Sequence, residues 1–192
     1  MRCSLIGVVL PLLTGCFAQV EASYLQPSGF GTVEKEQGVP RIQQKSLGKA
    51  GFVTVRADRQ ESFDELTIFF GIDPGHFATL MTQQVAQACG GSEHTLVPLN
   101  DLRSGRIRDG VGYHASQKSN EQMVGSEFVG PHRRQGDRSM GWFWVTAPLR
   151  PCNGKRFEIV LPQVMVDGVN TDLGSVTFTP VNGRFIYAPQ LF

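Results

Sequence analysis

The chain has 192 residues, of which 41% are hydrophobic and 18% are charged, and its formal net charge at pH 7 is +1. With this near-neutral net charge, the protein lacks the overall positive field that attracts nucleic acids, so we expect no nucleic-acid partner. The chain contains 22 Gly and 11 Pro, and the short apolar runs between them are typical of a β-rich domain with many turns.

The N-terminal residues have the three parts of a secretory signal peptide. Arg2 gives a positive start, residues 5–13 form an apolar stretch, and small residues then lead to Cys16. The apolar stretch is about half of the roughly 20 residues that a transmembrane helix requires. We therefore predict a signal peptide over residues 1–15 rather than a membrane span.

The segment Leu13-Thr14-Gly15-Cys16 resembles the lipobox of bacterial lipoprotein precursors. In that class a dedicated peptidase cuts before the cysteine, whose sulfur carries a diacylglycerol and whose amine is then acylated. The resemblance implies a lipid on Cys16, a membrane as partner, and a location in the bacterial envelope. Phe17 favours the outer membrane, because an Asp at that position favours inner-membrane retention in enterobacterial lipoproteins. Ordinary cleavage after Ala18 or Ala22 would instead release a secreted chain.

Residues 16–48 have no sustained hydrophobic period and contain polar runs such as Glu34-Lys35-Glu36-Gln37-Gly38. Such a composition cannot bury enough apolar surface to offset the entropy of ordering. We therefore predict that Cys16 begins a flexible linker with a reach of about 30 Å. A single β-rich domain is predicted over residues 49–192.

The first part of this domain is predicted to contain two strands and one principal helix. Residues 52–56 alternate between apolar and polar, and residues 66–70 are typical of a more buried strand. Asp73 then suits a helix N-cap and Pro74 the first helical position. Apolar residues recur at helical spacing from there to Gly90-Gly91, which predicts an amphipathic helix.

Residues 93–139 are rich in Gly, Arg, Gln and Ser, and we predict loops there apart from short strands at 96–99 and 111–113. The C-terminal third contains clear apolar runs that are typical of strands. Asn153-Gly154, Asp167-Gly168 and Asn182-Gly183 separate its apolar runs as hairpin turns do. The sequence therefore predicts a mainly β, sandwich-like fold with an antiparallel meander in the C-terminal third. The helix is predicted to pack against the sheets or to cap one end of them.

Four cysteines are present. Cys3 leaves with the signal peptide and Cys16 carries the lipid, so Cys89 and Cys152 remain as an even pair in an oxidising compartment. We predict that they form a disulfide, which is worth about 4 kcal/mol on the chain-entropy model. Two buried free thiols are the alternative.

The histidines offer the main candidates for catalytic or metal chemistry. His94, His114 and His132 could bind zinc together, but they lack the close spacing of a metal motif. Ser92-Glu93-His94 brings triad residue types together in sequence, whereas the members of a real triad meet in space. We predict no catalytic residue, no metal and no cofactor.

Five residues are candidates for binding. The guanidinium groups of Arg103 and Arg106 suit carboxylate or phosphate groups, although nearby Asp residues could neutralise them. His114 lies in the same irregular region. Trp142 and Trp144 share one face of a predicted strand, where they could line a sugar-binding platform or belong to the core.

The anchor and the small β domain favour a non-enzymatic function. We expect a lipid-anchored recognition or assembly module that binds another envelope protein through a sheet edge or through residues 93–139. One alternative is an envelope hydrolase or metal-dependent enzyme that uses the His-bearing segment 93–132. The other is a glycan-binding module that uses Trp142 or Trp144.

Overall fold

The computed structural model describes residues 18–36, 39–59, 63–108, 111–118, 127–129 and 140–187. These residues form sixteen β-strands and one short 3-10 turn at Gly48–Ala50. The strands are β1 (Ala18–Ser28), β2 (Thr32–Glu36), β3 (Val39–Ser46), β4 (Gly51–Arg59), β5 (Asp64–Ile72), β6 (Phe77–Leu80), β7 (Gln84–Ala88), β8 (Thr95–Pro98), β9 (Asn100–Arg108), β10 (Val111–Lys118), β11 (Glu127–Val129), β12 (Met140–Leu149), β13 (Phe157–Val160), β14 (Val164–Val166), β15 (Val169–Thr171) and β16 (Ser175–Tyr187). Within these ranges, no helix has the length and apolar character that a membrane span needs.

The strands form three antiparallel sheets, so the predicted β-rich, sandwich-like fold is confirmed. The largest sheet has the order β10-β9-β12-β5-β4-β3-β2, the second β1-β16-β13-β7-β8, and the smallest β11-β6-β14-β15. In the C-terminal third, β14 and β15 form a hairpin, whereas β12 pairs with β5 and β9, and β16 pairs with β1 and β13. The pairing is therefore less local than a meander.

The core is built from alternate residues of the paired strands. Buried side chains of β4, β5 and β12 in the seven-stranded sheet pack together with buried side chains of the other two sheets. Together they form one contiguous cluster. The rings of Phe70 and Phe143 stack with their centroids 4.3 Å apart, and those of Phe157 and Phe178 lie 5.4 Å apart. The inward residues of the three central strands are Val53, Val55, Ala57, Leu66, Ile68, Phe70, Ile72, Phe143, Val145, Ala147 and Leu149.

The predicted helix is wrong, because its residues form β6 and β7, which belong to different sheets. Asp73 and Pro74 instead lie in the turn between β5 and β6, together with Gly75, whose φ is +85°. The segment between the strands is held by distant backbone: Met81 donates to the carbonyl of Gln163, and Leu99 donates to that of Gln83. Pairing with these remote partners overrides the helical spacing of the apolar residues.

The predicted flexible linker is also wrong for the part that the structure describes. β1 pairs with β16 through eleven residue pairs, and β3 pairs with β4. Tyr24, Leu25, Phe30 and Val39 are buried. The folded unit therefore begins by Ala18, and these four apolar side chains supply the burial that the polar runs lack.

Two of the three predicted turns are present. Asn153-Gly154 and Asp167-Gly168 have positive φ at both residues. Asp167-Gly168 closes the β14–β15 hairpin, whereas Asn153-Gly154 lies between β12 and β13, which belong to different sheets. Asn182-Gly183 instead lies inside β16, opposite Ser23 and Ala22 of β1. Within 93–139, β8 overlaps the short strand predicted at 96–99 and β10 contains the one predicted at 111–113, whereas β9 and β11 form where we predict loops.

An inter-sheet clamp joins β7 to the end of β12. Cys89 and Cys152 form a disulfide with 5.3 Å between their Cα atoms, as the sequence predicts. Beside it, the buried Gln87 donates from Nε2 to the carbonyl of Arg150 at 2.8 Å and accepts at Oε1 from the N–H of Arg150 at 3.0 Å. The side-chain amide of Gln87 thus bonds to both backbone groups of Arg150, as a neighbouring strand would, and links the five-stranded sheet to the end of β12 in the seven-stranded sheet.

We expect Gln87→Ala to destabilise the protein by about 1–3 kcal/mol, because both backbone groups of Arg150 lose their partner. Gln87→Glu should cost at least as much, because it removes the donor and buries a carboxylate. Urea unfolding of the oxidised protein measures both. Gln84→Ala, at an exposed position of the same strand, is the control and should change stability by less than about 0.5 kcal/mol. Equal stability of Gln87→Ala and this control would contradict the clamp.

Candidate functional site

The two faces of β12 carry different side chains. Phe143, Val145 and Ala147 point into the core, whereas Trp142 and Trp144 lie on the opposite face, as the alternation predicts. β12 is flanked by β5 and β9. It therefore has the central position that aromatic residues on both faces indicate.

Aromatic rings follow one another across this outer face. The centroids of Phe52 and Phe69 are 6.0 Å apart, those of Phe69 and Trp142 6.1 Å, and those of Trp142 and Trp144 5.2 Å. Trp142 is only 6% exposed, whereas Trp144 is half-buried. Trp142 is therefore a buried member of this row, stacked against Phe69 and Trp144. The three more exposed rings, Phe52, Phe69 and Trp144, are called here the aromatic wall.

The aromatic wall borders a cleft of about 530 Å³ on this face. Side chains from β3, β4, β5, β12 and β9 line it, and five strands at the usual spacing span about 19 Å. Register places Thr54, Phe69 and Trp144 opposite one another, and Arg56, Thr67 and Thr146 in the next row. The cleft thus has an aromatic end and a polar end. Its lining residues are Ile42, Phe52, Thr54, Arg56, Glu65, Thr67, Phe69, Asp101, Arg103, Trp144 and Thr146.

Two of the predicted binding residues meet in this cleft. Arg103 lies directly opposite Trp144 in the pairing of β9 with β12, and its guanidinium carbon is 5.7 Å from the indole centroid. This distance is that of a cation–π contact. The contact orders a charged donor and an aromatic surface side by side.

A β-bulge places Asp101 at the edge of the cleft. Trp144 is opposite Arg103 but Thr146 is opposite Asn100, so β9 carries one residue more than β12 between them. Asp101 takes up this residue with φ of 45°, a conformation that Asp tolerates better than most residues. Because of the bulge, Leu99 and Leu102 are both buried although they are three residues apart. Bulges of this kind are common beside functional sites.

The charges that line the cleft balance, with Arg56 and Arg103 against Glu65 and Asp101. The Nη1 of Arg56 lies 3.2 Å from Glu36, and its Nε lies 2.9 Å from Asp58, although that N–H is not aligned for a hydrogen bond. The other three charged lining residues take part in none of the four ion pairs between described residues.

The remaining predicted residues are not brought together by the described part of the chain. Cys16 lies outside it. Arg106 is in β9, opposite Tyr113, and His114 is in β10, opposite Gly105, but their side chains also lie outside the described residues.

The described residues do not assemble the zinc site that the sequence could offer. His94 is exposed, His132 lies outside the described residues, and no group of three metal-ligating side chains occurs among those described. His76 instead pairs with Asp167, with 2.7 Å between Nδ1 and Oδ2. That hydrogen bond, with a second from the N–H of Phe77, lowers the pKa of Asp167 and fixes the β14–β15 hairpin beside β6.

Comparison with other proteins adds no assignment. No family model matches the sequence, and neither a curated protein nor a solved structure matches it. The chemistry of the cleft must therefore be read from its own side chains, of which the sequence identified Arg103 and Trp144. It missed Phe52, Phe69, Glu65 and Asp101, whose relation to the tryptophans depends on strand pairing.

We expect Gly71→Ala to disturb the aromatic end of the cleft. Gly71 lies opposite Phe52 and Trp142, and a Cβ there would come within 2.7 Å of the Phe52 ring and of the Met140 sulfur. The crowding should cost about 1–3 kcal/mol of unfolding free energy and alter the indole fluorescence. Gly91→Ala is the matched control, since its Cβ would meet no atom within 4 Å. The packing is misassigned if both variants match the parent protein.

Proposed function

We propose that this protein is a non-enzymatic recognition module of the bacterial envelope, anchored by a lipid on Cys16, and that the cleft of the seven-stranded sheet is its binding surface. The observation that carries the proposal is the convergence of an aromatic wall and balanced charges on one sheet face. Aromatic and Arg side chains are the groups that contribute most to recognition surfaces. The outer membrane remains the favoured location.

The floor of the cleft supports a binding role because it is preorganised. β4, β5, β12 and β9 each pair with a neighbour on both sides. Their inward residues are packed in the core, which fixes where the outward side chains stand. A ligand therefore meets groups that are already in place, and little ordering opposes its binding.

The start of β1 supports a short tether rather than a long one. β1 begins at Ala18, two residues after Cys16. Two residues span at most about 7 Å. A lipid on Cys16 would therefore hold the domain close to the bilayer, where its ligand would be a component of the envelope surface.

We expect the protein expressed in a bacterium to carry a lipid on Cys16 and to sediment with membranes. Two or more acyl chains hold a protein firmly. A soluble variant, in which the cleavable signal peptide of a secreted protein replaces residues 1–16, should therefore be found in the soluble fraction. Mass spectrometry of the processed N-terminus and fractionation measure this. An unmodified Gln19 or Ser23 at the N-terminus would contradict the anchor.

We expect the cleft to retain an envelope component. The soluble variant, immobilised and exposed to envelope extract, should retain a component that Trp144→Ala and Arg103→Ala in the same background lose. Leu96→Ala is the control, since Leu96 is 63% exposed on a different sheet. Urea unfolding checks that each variant is folded. Equal retention by all four proteins would show that the cleft is not the binding surface.

A further inference from the structure

We infer that the ligand of the cleft is a short oligosaccharide without net charge, with one sugar ring packed against the aromatic wall and hydroxyl groups held at the polar end. This inference rests on the proposed function of the cleft as the binding surface. It names the chemical class of the ligand.

The charge balance of the cleft argues against an anionic ligand. Arg56 and Arg103 stand against Glu65 and Asp101, and Arg56 is further neutralised by Glu36 and Asp58. Sites for phosphate groups and nucleic acids carry an excess of Arg and Lys. A ligand whose groups both donate and accept hydrogen bonds fits this cleft better, because the lining offers Arg donors as well as carboxylate acceptors.

The side chains of the cleft match a hydroxyl-rich molecule. Each hydroxyl group both donates and accepts, so it can bond to a guanidinium, a carboxylate or a threonine. The polar lining consists of Thr54, Thr67 and Thr146 besides the four charged groups. Because the floor strands are paired on both sides, a peptide cannot join them as an added strand, which needs an open sheet edge.

The aromatic wall suits the apolar face of a sugar ring. The C–H groups on that face approach the electron-rich face of an aromatic ring favourably. The Trp144 indole is held by Trp142 at 5.2 Å and by Arg103 at 5.7 Å, so little side-chain freedom remains to be lost on binding.

The dimensions of the cleft fit an oligosaccharide. Phe52 and Arg56 are four residues apart on β4, which separates the aromatic and polar ends by about 13 Å. The volume of about 530 Å³ lies within the usual range of small-molecule sites. One ring at the aromatic wall therefore leaves room for further units toward Glu65 and Arg56.

A glycan array and calorimetry test this inference on the soluble variant, in which the cleavable signal peptide of a secreted protein replaces residues 1–16. The array carries short neutral oligomers of glucose, galactose, mannose and N-acetylglucosamine, with sialylated and sulfated glycans for comparison. We expect a neutral oligomer to bind. Trp144→Ala and Arg103→Ala should each weaken that binding about tenfold or more, which corresponds to about 1.4 kcal/mol. Trp144→Phe should retain part of the affinity, and Leu96→Ala should bind as the parent protein does.

The outcomes separate the ligand class from the proposed function. Binding of charged glycans alone would overturn the inference. So would the lack of any glycan binding when Trp144→Ala and Arg103→Ala still lose a protein component from envelope extract, and that result would leave the recognition module standing. Shortening of the bound oligomer, read by mass spectrometry, would support the ligand class but overturn the non-enzymatic function. Failure of both the array and the extract capture would remove both.

Discussion

The two-residue period of the central strands is the constraint on which the core and the cleft both depend. Successive side chains of β12 point to opposite faces, so the packing of Phe143 and Val145 in the core places Trp144 and Thr146 in the cleft. A slip of one residue would exchange the two sets and bury the wrong side chains. The free energy of core packing therefore holds the binding side chains in position, and the cleft needs no separate scaffold.

The inter-sheet clamp strengthens this constraint at the end of the same strand. β12 carries Trp144 and ends beside Arg150, which is bonded to Gln87 of the facing sheet, with the Cys89–Cys152 disulfide next to it. A strand held both by its neighbours and by the opposite sheet has little freedom to slide. This rigidity suits a surface that binds with preformed side chains, since the cost of ordering is met in folding rather than in binding.

The sequence predicted strands best where the residues alternate clearly and bury one face locally. The strands within 52–56, 66–70 and 142–145 are present, and so is the disulfide. The helix prediction was wrong because the spacing of apolar residues around Phe77 and Val85 suits two short strands in different sheets as well as one helical face. The linker prediction was wrong because β1 is stabilised by pairing with β16, about 150 to 170 residues away in the chain, and no local pattern records such a partner.

The same limit explains how much of the site was predictable. The shared face of Trp142 and Trp144 follows from position within one strand, and Arg103 was identified together with Arg106 as a candidate for binding carboxylate or phosphate groups. Their meeting depends on the register of β9 with β12 and on the bulge at Asp101, which pairing alone determines. Because five strands between Ile42 and Thr146 supply the lining, the cleft is a property of the assembled sheet. Under the proposed function, ligand affinity therefore depends on the stability of the whole domain, and a variant that loosens any central strand should weaken recognition without touching the ligand.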